Sequence, residues 1–177
     1  LCYRSGALVV HSLGEIQVDC DGFHCKEYIT PPGFCSTRIF WSFVKPKTRT
    51  LYIMQILRSK DNTPLFQLRA ADATSLNFQS SDINNLYKEV MAKVWEVNKD
   101  FFSHNDLFSA FPMMRSKNNK KGFCLNGPQF FGYGIDFIRE ALEKQEDAIA
   151  CAAPLSKDSV TYKFCFHKPT EQIRKSF

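Results

Sequence analysis

Cys20, His24, Cys25 and Cys35 come nearest to a metal-ligand constellation in this chain. Thiolate and imidazole suit zinc, but structural zinc sites usually join one closely spaced ligand pair to a second. Cys20-x4-Cys25 approaches the first pair, and no matching second pair follows. Cys35 adjoins a run of bulky apolar residues, where a thiol packs as a small hydrophobe. The spacing argues for burial of these residues and against a zinc centre.

Seven cysteines and four histidines also invite a Cys/His nucleophile pair. No local nucleophile signature surrounds any of the thiols. His11 and His167 fall inside expected strands and read as sheet-face residues that pack or hydrogen-bond. Gly132-x-Gly134 precedes a helix without following a strand, so it is helix-entry punctuation and not a phosphate-cradling loop. Glu140, Glu143, Glu146 and Asp147 lie on or near one expected helix, as a solvated face does. The chain therefore reads as a non-enzyme, with no catalytic residue, metal or cofactor expected.

Basic residues gather in loops. Lys45, Lys47 and Arg49 share one, and Arg115, Lys117, Lys120 and Lys121 share another. Phosphate binding needs such residues on one face, interleaved with exposed aromatics. The 17 Phe fall largely at core-like periods instead. The formal charge of +5 is too mild to argue for nucleic acid by itself. Solvated loops are the favoured reading over a nucleic-acid platform.

The elements that must position these residues follow from length and periodicity. A chain of 177 residues fits one domain and can fill a core without crosslinks. An odd cysteine count at irregular spacing suits reduced thiols. No apolar run reaches the roughly 18 residues of a membrane span, and no signal pattern opens the chain. It begins at Leu1, as a piece of a larger protein would. Residues 7–58 read as β, with runs over 7–13, 15–18, 38–44 and 51–57. Gly14 marks a bend or bulge, Thr30-Pro31-Pro32-Gly33 a turn, and 45–49 a hairpin loop. A further strand is expected over 65–68 after an Asp61-Asn62 turn.

The period then changes. Ile83, Leu86, Tyr87, Val90, Val94 and Val97 predict a helix near 82–99, with N-cap oxygens from Ser80, Ser81 and Asp82. A short helical turn over 103–111 is stopped by Pro112, and 115–121 is a polar loop. Gly127-Pro128 opens a new element, and Ile135, Ile138, Ala141 and Leu142 predict a helix near 134–146. Alternation of Val160, Tyr162, Phe164 and Phe166 with polar neighbours predicts a last strand that returns to the early sheet. Strands grouped before helices give an α+β class with an antiparallel sheet.

Specific words now stand out. His11-Ser12-Leu13-Gly14-Glu15-Ile16, Phe23-His24 and Pro32-Gly33-Phe34-Cys35-Ser36-Thr37-Arg38-Ile39-Phe40-Trp41-Ser42 resemble the FYRN motif of chromatin proteins. Tyr52 to Ile56 and Pro64-Leu65-Phe66-Gln67-Leu68 are similar to its end and exit. Phe130-Phe131-Gly132, the helix with Ile138 and Leu142, Cys151 and Tyr162-Lys163-Phe164 resemble FYRC. The last strand looks most like the mixed-lineage leukaemia and trithorax histone methyltransferases, and next like the transforming growth factor beta regulator that carries both motifs. The family's Pro-Val-Gly is Pro31-Pro32-Gly33 here, and ten residues including Pro154 separate Cys151 from Tyr162.

The resemblance implies one module over 1–177, with FYRN at about 7–58 and FYRC at about 63–168 interlocked on one antiparallel sheet that helices cover. In trithorax-type proteins a protease cuts between the motifs and their association holds the fragments together. Here the motifs nearly abut, so their pairing is expected within the chain. The implied role is protein association and transcription regulation in the nucleus, with docking of histone or DNA through the loops at 45–49 and 115–121 as the alternative. The parent would be a methyltransferase whose catalytic SET domain, which needs S-adenosylmethionine, is absent here. Gly14 and Gly33 are expected to shape the backbone. Ile39, Trp41, Phe43, Tyr162, Phe164 and Phe166 are expected to form faces between the halves, and Arg38 to pair with a carboxylate or backbone carbonyl near the sheet.

Overall fold

A computed structural model describes residues 2–18, 20–24, 27–104 and 125–145. Six strands follow one another: β1 (Tyr3–Ser5), β2 (Leu8–Leu13), β3 (Phe34–Trp41), β4 (Arg49–Arg58), β5 (Pro64–Ala70) and β6 (Asn77–Ser80). They pair in sequence order, every pair antiparallel. Three helices come after them: α1 (Ile83–His104), α2 (Gly127–Phe131) and α3 (Asp136–Glu143). The class is α+β, as the grouping of strands before helices predicts. All six strands lie between Tyr3 and Ser80, and the described α-helices follow them.

Alternation decides which face is covered. Leu8 and Val10 of β2, Phe34 and Ser36 of β3, Tyr52, Met54 and Ile56 of β4, and Phe66, Leu68 and Ala70 of β5 are buried. Their neighbours in sequence point to the opposite face, because side chains alternate along a strand. The helices close over the buried face. Helix α1 brings Ile83, Leu86, Tyr87, Val90, Met91 and Val94 at helical spacing, and α3 adds Ile138 and Leu142. The Asp82 carboxylate caps α1 by accepting the N–H groups of Asn84 and Asn85 at 2.8 and 3.1 Å.

Several boundaries differ from the sequence reading. Glu15 to Val18 is not a strand. Gly14, at φ +74°, turns the chain, and the Glu15 N–H goes to the Pro32 carbonyl at 2.9 Å. The strand expected over 38–44 begins at Phe34 and ends at Trp41. There the Ser42 hydroxyl accepts the N–H groups of Val44 and Lys45, both at 2.9 Å, and bends the backbone away from the ladder. Strands β1 and β6 have three and four residues, too short to show an alternating pattern. Helix α1 runs on to His104, beyond the expected end near 99. Of the helical turn expected over 103–111, residues 103 and 104 belong to α1, and the rest lies outside the described residues, as do the last strand over 160–167 and the loop 115–121.

Candidate assembly interface

The contact between the early sheet and the segment after Leu125 is built from β3 and α2. Serine and arginine alternate with Phe34 on β3, so Ser36 and Arg38 face the helices. Opposite them stands α2. Its start is fixed by a capping box: Asn126 Oδ1 accepts the Gln129 N–H at 2.9 Å, and Gln129 Oε1 accepts the Asn126 N–H at 3.1 Å. Its end is fixed by Gly132 at φ +112°, with the N–H groups of Gly132 and Gly134 both on the Pro128 carbonyl.

A helix this short leaves its last carbonyls without partners. Residues of β3 supply them. Arg38 donates from Nε to the Phe130 carbonyl at 2.9 Å and from Nη2 to the Gln129 carbonyl at 3.0 Å. Ser36 Oγ donates to the Phe131 carbonyl at 2.5 Å. A cation at a helix C-terminus also suits the helix dipole. Burial lowers the Arg38 guanidinium to about 10, opposed by Tyr87, so it stays charged at neutral pH.

The aromatic rings mesh around the same point. Phe130 meets Phe40 at 5.4 Å, Tyr87 at 5.3 Å and Tyr52 at 6.1 Å between centroids, with Arg38 at 5.1 Å over its face. Phe131 meets Phe66 edge-on at 6.0 Å. Tyr133 meets Phe34 at 5.9 Å and Tyr28 at 5.8 Å, both edge-on. Such pairs add about 0.5–1.5 kcal/mol each beyond burial. Gly132 lets this turn sit on the sheet, since a Cβ there would fall 2.8 Å from Leu8 Cδ2.

A second polar staple ties the β3–β4 hairpin to α1. Asn98 is buried, donates from Nδ2 to the Ser42 carbonyl at 2.7 Å and accepts the Lys47 N–H at 2.8 Å. Ser42 Oγ in turn donates to Asp72 at 2.6 Å. Tyr52 sends its hydroxyl to the Trp41 carbonyl at 2.6 Å; burial, and then the Asp72 charge, hold its pKa well above the ordinary phenol value.

The residues singled out in the sequence are placed as follows. Gly14 and Gly33 both take positive φ, at +74° and +84°. Phe43 is buried against Phe78 at 5.3 Å and Tyr52 at 5.9 Å. Trp41 packs on Phe101 and Phe102 of α1 at 5.3 and 5.5 Å. Ile39 sits on the opposite sheet face, 51% exposed, away from the helices. Lys45 and Lys47 are exposed in the hairpin, whereas Arg49 lies over the Trp41 ring at 5.0 Å. Tyr162, Phe164, Phe166, Arg115, Lys117, Lys120 and Lys121 lie outside the described residues. His11 hydrogen-bonds Thr37 Oγ1 at 2.8 Å on the open sheet face.

Sequence reasoning missed Ser36, Asn98 and the centrality of Phe130. The Asn126/Gln129 spacing is the signal that marks the start of α2. Ser36 shares a strand face with Arg38, and that too can be read from alternation. Asn98 also donates to the Val94 carbonyl one turn back, but nothing local marks its partners in the hairpin, which are 51 and 56 residues away. Among the described residues, no group of three or more His, Cys, Asp or Glu is placed to hold a metal ion.

The F/Y-rich N-terminus family, FYRN, matches residues 1–59. Histone-lysine N-methyltransferase TRX1 of Oryza sativa subsp. japonica is 30% identical over 149 residues, 82% of this chain and 13% of that protein. Transforming growth factor beta regulator 1 of Xenopus tropicalis is 34% identical over 104 residues, 59% of this chain and 25% of the relative. Its Homo sapiens counterpart is 37% identical over 91 residues, 50% of this chain and 21% of the relative. The chain thus spans a quarter or less of the length of these relatives. Residues 1–59 are an F/Y-rich N-terminus of the FYRN family, in a chain related to both a histone-lysine methyltransferase and the transforming growth factor beta regulators.

Proposed function

We propose that this chain is a non-catalytic association module of a nuclear chromatin regulator, in which FYRN and FYRC segments interlock. The carrying observation is the set of three hydrogen bonds from Ser36 and Arg38 to the carbonyls of Gln129, Phe130 and Phe131. They cross 91 to 95 residues of sequence. Each half then supplies what the other lacks. The FYRN strands bring donors and an apolar face, and the later segment brings unpartnered carbonyls and three rings to cover that face. Separated, each half would expose apolar surface and orphaned polar groups together. The histone methyltransferase type of parent rests on the rice relative and on the FYRC-like marks from Phe130 onward.

The test is to express residues 1–61 and 62–177 apart and together. The reading expects pieces that are insoluble or unfolded alone and a one-to-one complex with a single cooperative melt. A C-terminal piece that folds alone and fails to retain the other would overturn it.

A further inference from the structure

Beyond the assembly role, we propose that the open face of the sheet docks an acidic, extended segment of a partner protein. The inference does not rest on how the halves associate. It starts from ladder register, which aligns the outward side chains in rows across the strands. One row runs Arg4, Val9, Thr37, Ile53, Arg69, Asn77 through all six strands. The next pairs Ile39 with Leu51, 51% and 39% exposed. On its other side lies Cys35, Gln55, Gln67, Gln79.

Three properties of this face define its partner. It has aliphatic side chains in the open, which single exposed residues do not need but a contact does. It has cations and no anions: none of the six strands contains Asp or Glu. Arg4 and Arg69 make no ion pair among the described residues, and Arg69 Nη2 donates only a long hydrogen bond there, to Gln55 Oε1 at 3.4 Å. It offers no open ring for base stacking. Trp41, which pairs with Arg49 beyond the Ile39–Leu51 row, is packed on Phe101 and Phe102 and overlain by Arg49. Single-stranded nucleic acid is bound on sheets by exposed aromatics, so this face suits a polypeptide instead. A second copy would set arginine against arginine. The chain's own last segment from Val160 to His167 contains Lys163 and no carboxylate, so it brings no complement either. Carboxylates alternating with aliphatic residues match both the arginines and the Ile39–Leu51 row. Six strands span about 24 Å, which seven or eight residues of extended chain can cross.

The probe is a fluorescent peptide of alternating Glu and Val, with Lys-for-Glu and oligo-dT versions alongside, titrated into the whole chain at low salt. The expected result is saturable binding of the Glu peptide alone. R4E/R69E should weaken it about tenfold or more, and I39D should weaken it too. K45E/K47E, on the hairpin loop, should leave it unchanged. The following results each overturn the proposal: no binding, loss only with K45E/K47E, or oligo-dT binding lost with R69E. So does a change of solution mass in I39D, which would mean a second copy. A melting temperature lowered by several degrees in both I39D and R69E would mean that the chain covers its own face, and would also overturn it.

Discussion

Replacing Arg38 by Met keeps the apolar stem and removes the fork that holds α2 on β3. Two hydrogen bonds from a charged donor are lost, to the carbonyls of Phe130 and Gln129. Bonds to charged groups contribute about 1.5–3 kcal/mol each, and the cation over the Phe130 ring about 0.5–1 more. Against this, the charged guanidinium no longer has to be buried, and that cost is real enough to lower its pKa to about 10. Partial exposure also lets water reach the freed carbonyls. The net loss works out at about 3 kcal/mol, equivalent to roughly 6–12 °C of melting temperature for a chain of this size. R38K keeps the charge but cannot present two donors in a fixed fork, so it should recover less than half. Thermal and urea unfolding of wild type, R38M and R38K measure this directly. A loss under about 1 kcal/mol in R38M, or full stability in R38K, refutes the fork as the tie between the two segments.

Two other outcomes follow from backbone and titration. Gly14 and Gly33 both have positive φ, but a Cβ on Gly14 would lie 2.6 Å from Phe34 N and Pro32 O, whereas one on Gly33 meets only the Gly14 Cα at 3.5 Å. G33A should therefore cost about 1–2 kcal/mol, the left-handed penalty alone, and G14A clearly more; equal melting temperatures would contradict the close approach. Tyr52 has a raised folded-state pKa, so its proton is kept on folding and its contribution is intact below pH 10 and lost as pH rises above it. Arg38 works in the opposite sense, since its lowered pKa makes stability rise with pH above about 10. Y52F should thus flatten the alkaline loss by up to about 1.4 kcal/mol per pH unit, read from urea midpoints between pH 10 and 11. An unchanged slope would mean that Tyr52 ionises as readily folded as unfolded.

The sequence by itself determined the class, the β4 and β5 strands, the place of α1 and the FYRN resemblance. The β4 strand rests on the aromatic and β-branched run over 51–57, and the helix on apolar spacing from Ile83 to Val97. Positive φ at Gly33 was legible from its Pro-Pro-Gly turn, and Gly14 was legible as a bend. The limits of local reasoning show at Glu15–Val18, where strand-like residues are turned out of the ladder by Gly14 and the Pro32 carbonyl. They show again at Ile39, whose type suits a core. Only the register of β3, with Ser36 and Arg38 facing α2, assigns it to the open side. Tertiary structure alone decided the partners of Arg38, Ser36 and Asn98. Apart from the Val94 carbonyl that Asn98 also meets within α1, each partner lies 51 or more residues away, and a hydrogen bond carries no trace in local sequence when its partner is a backbone group that any residue could supply.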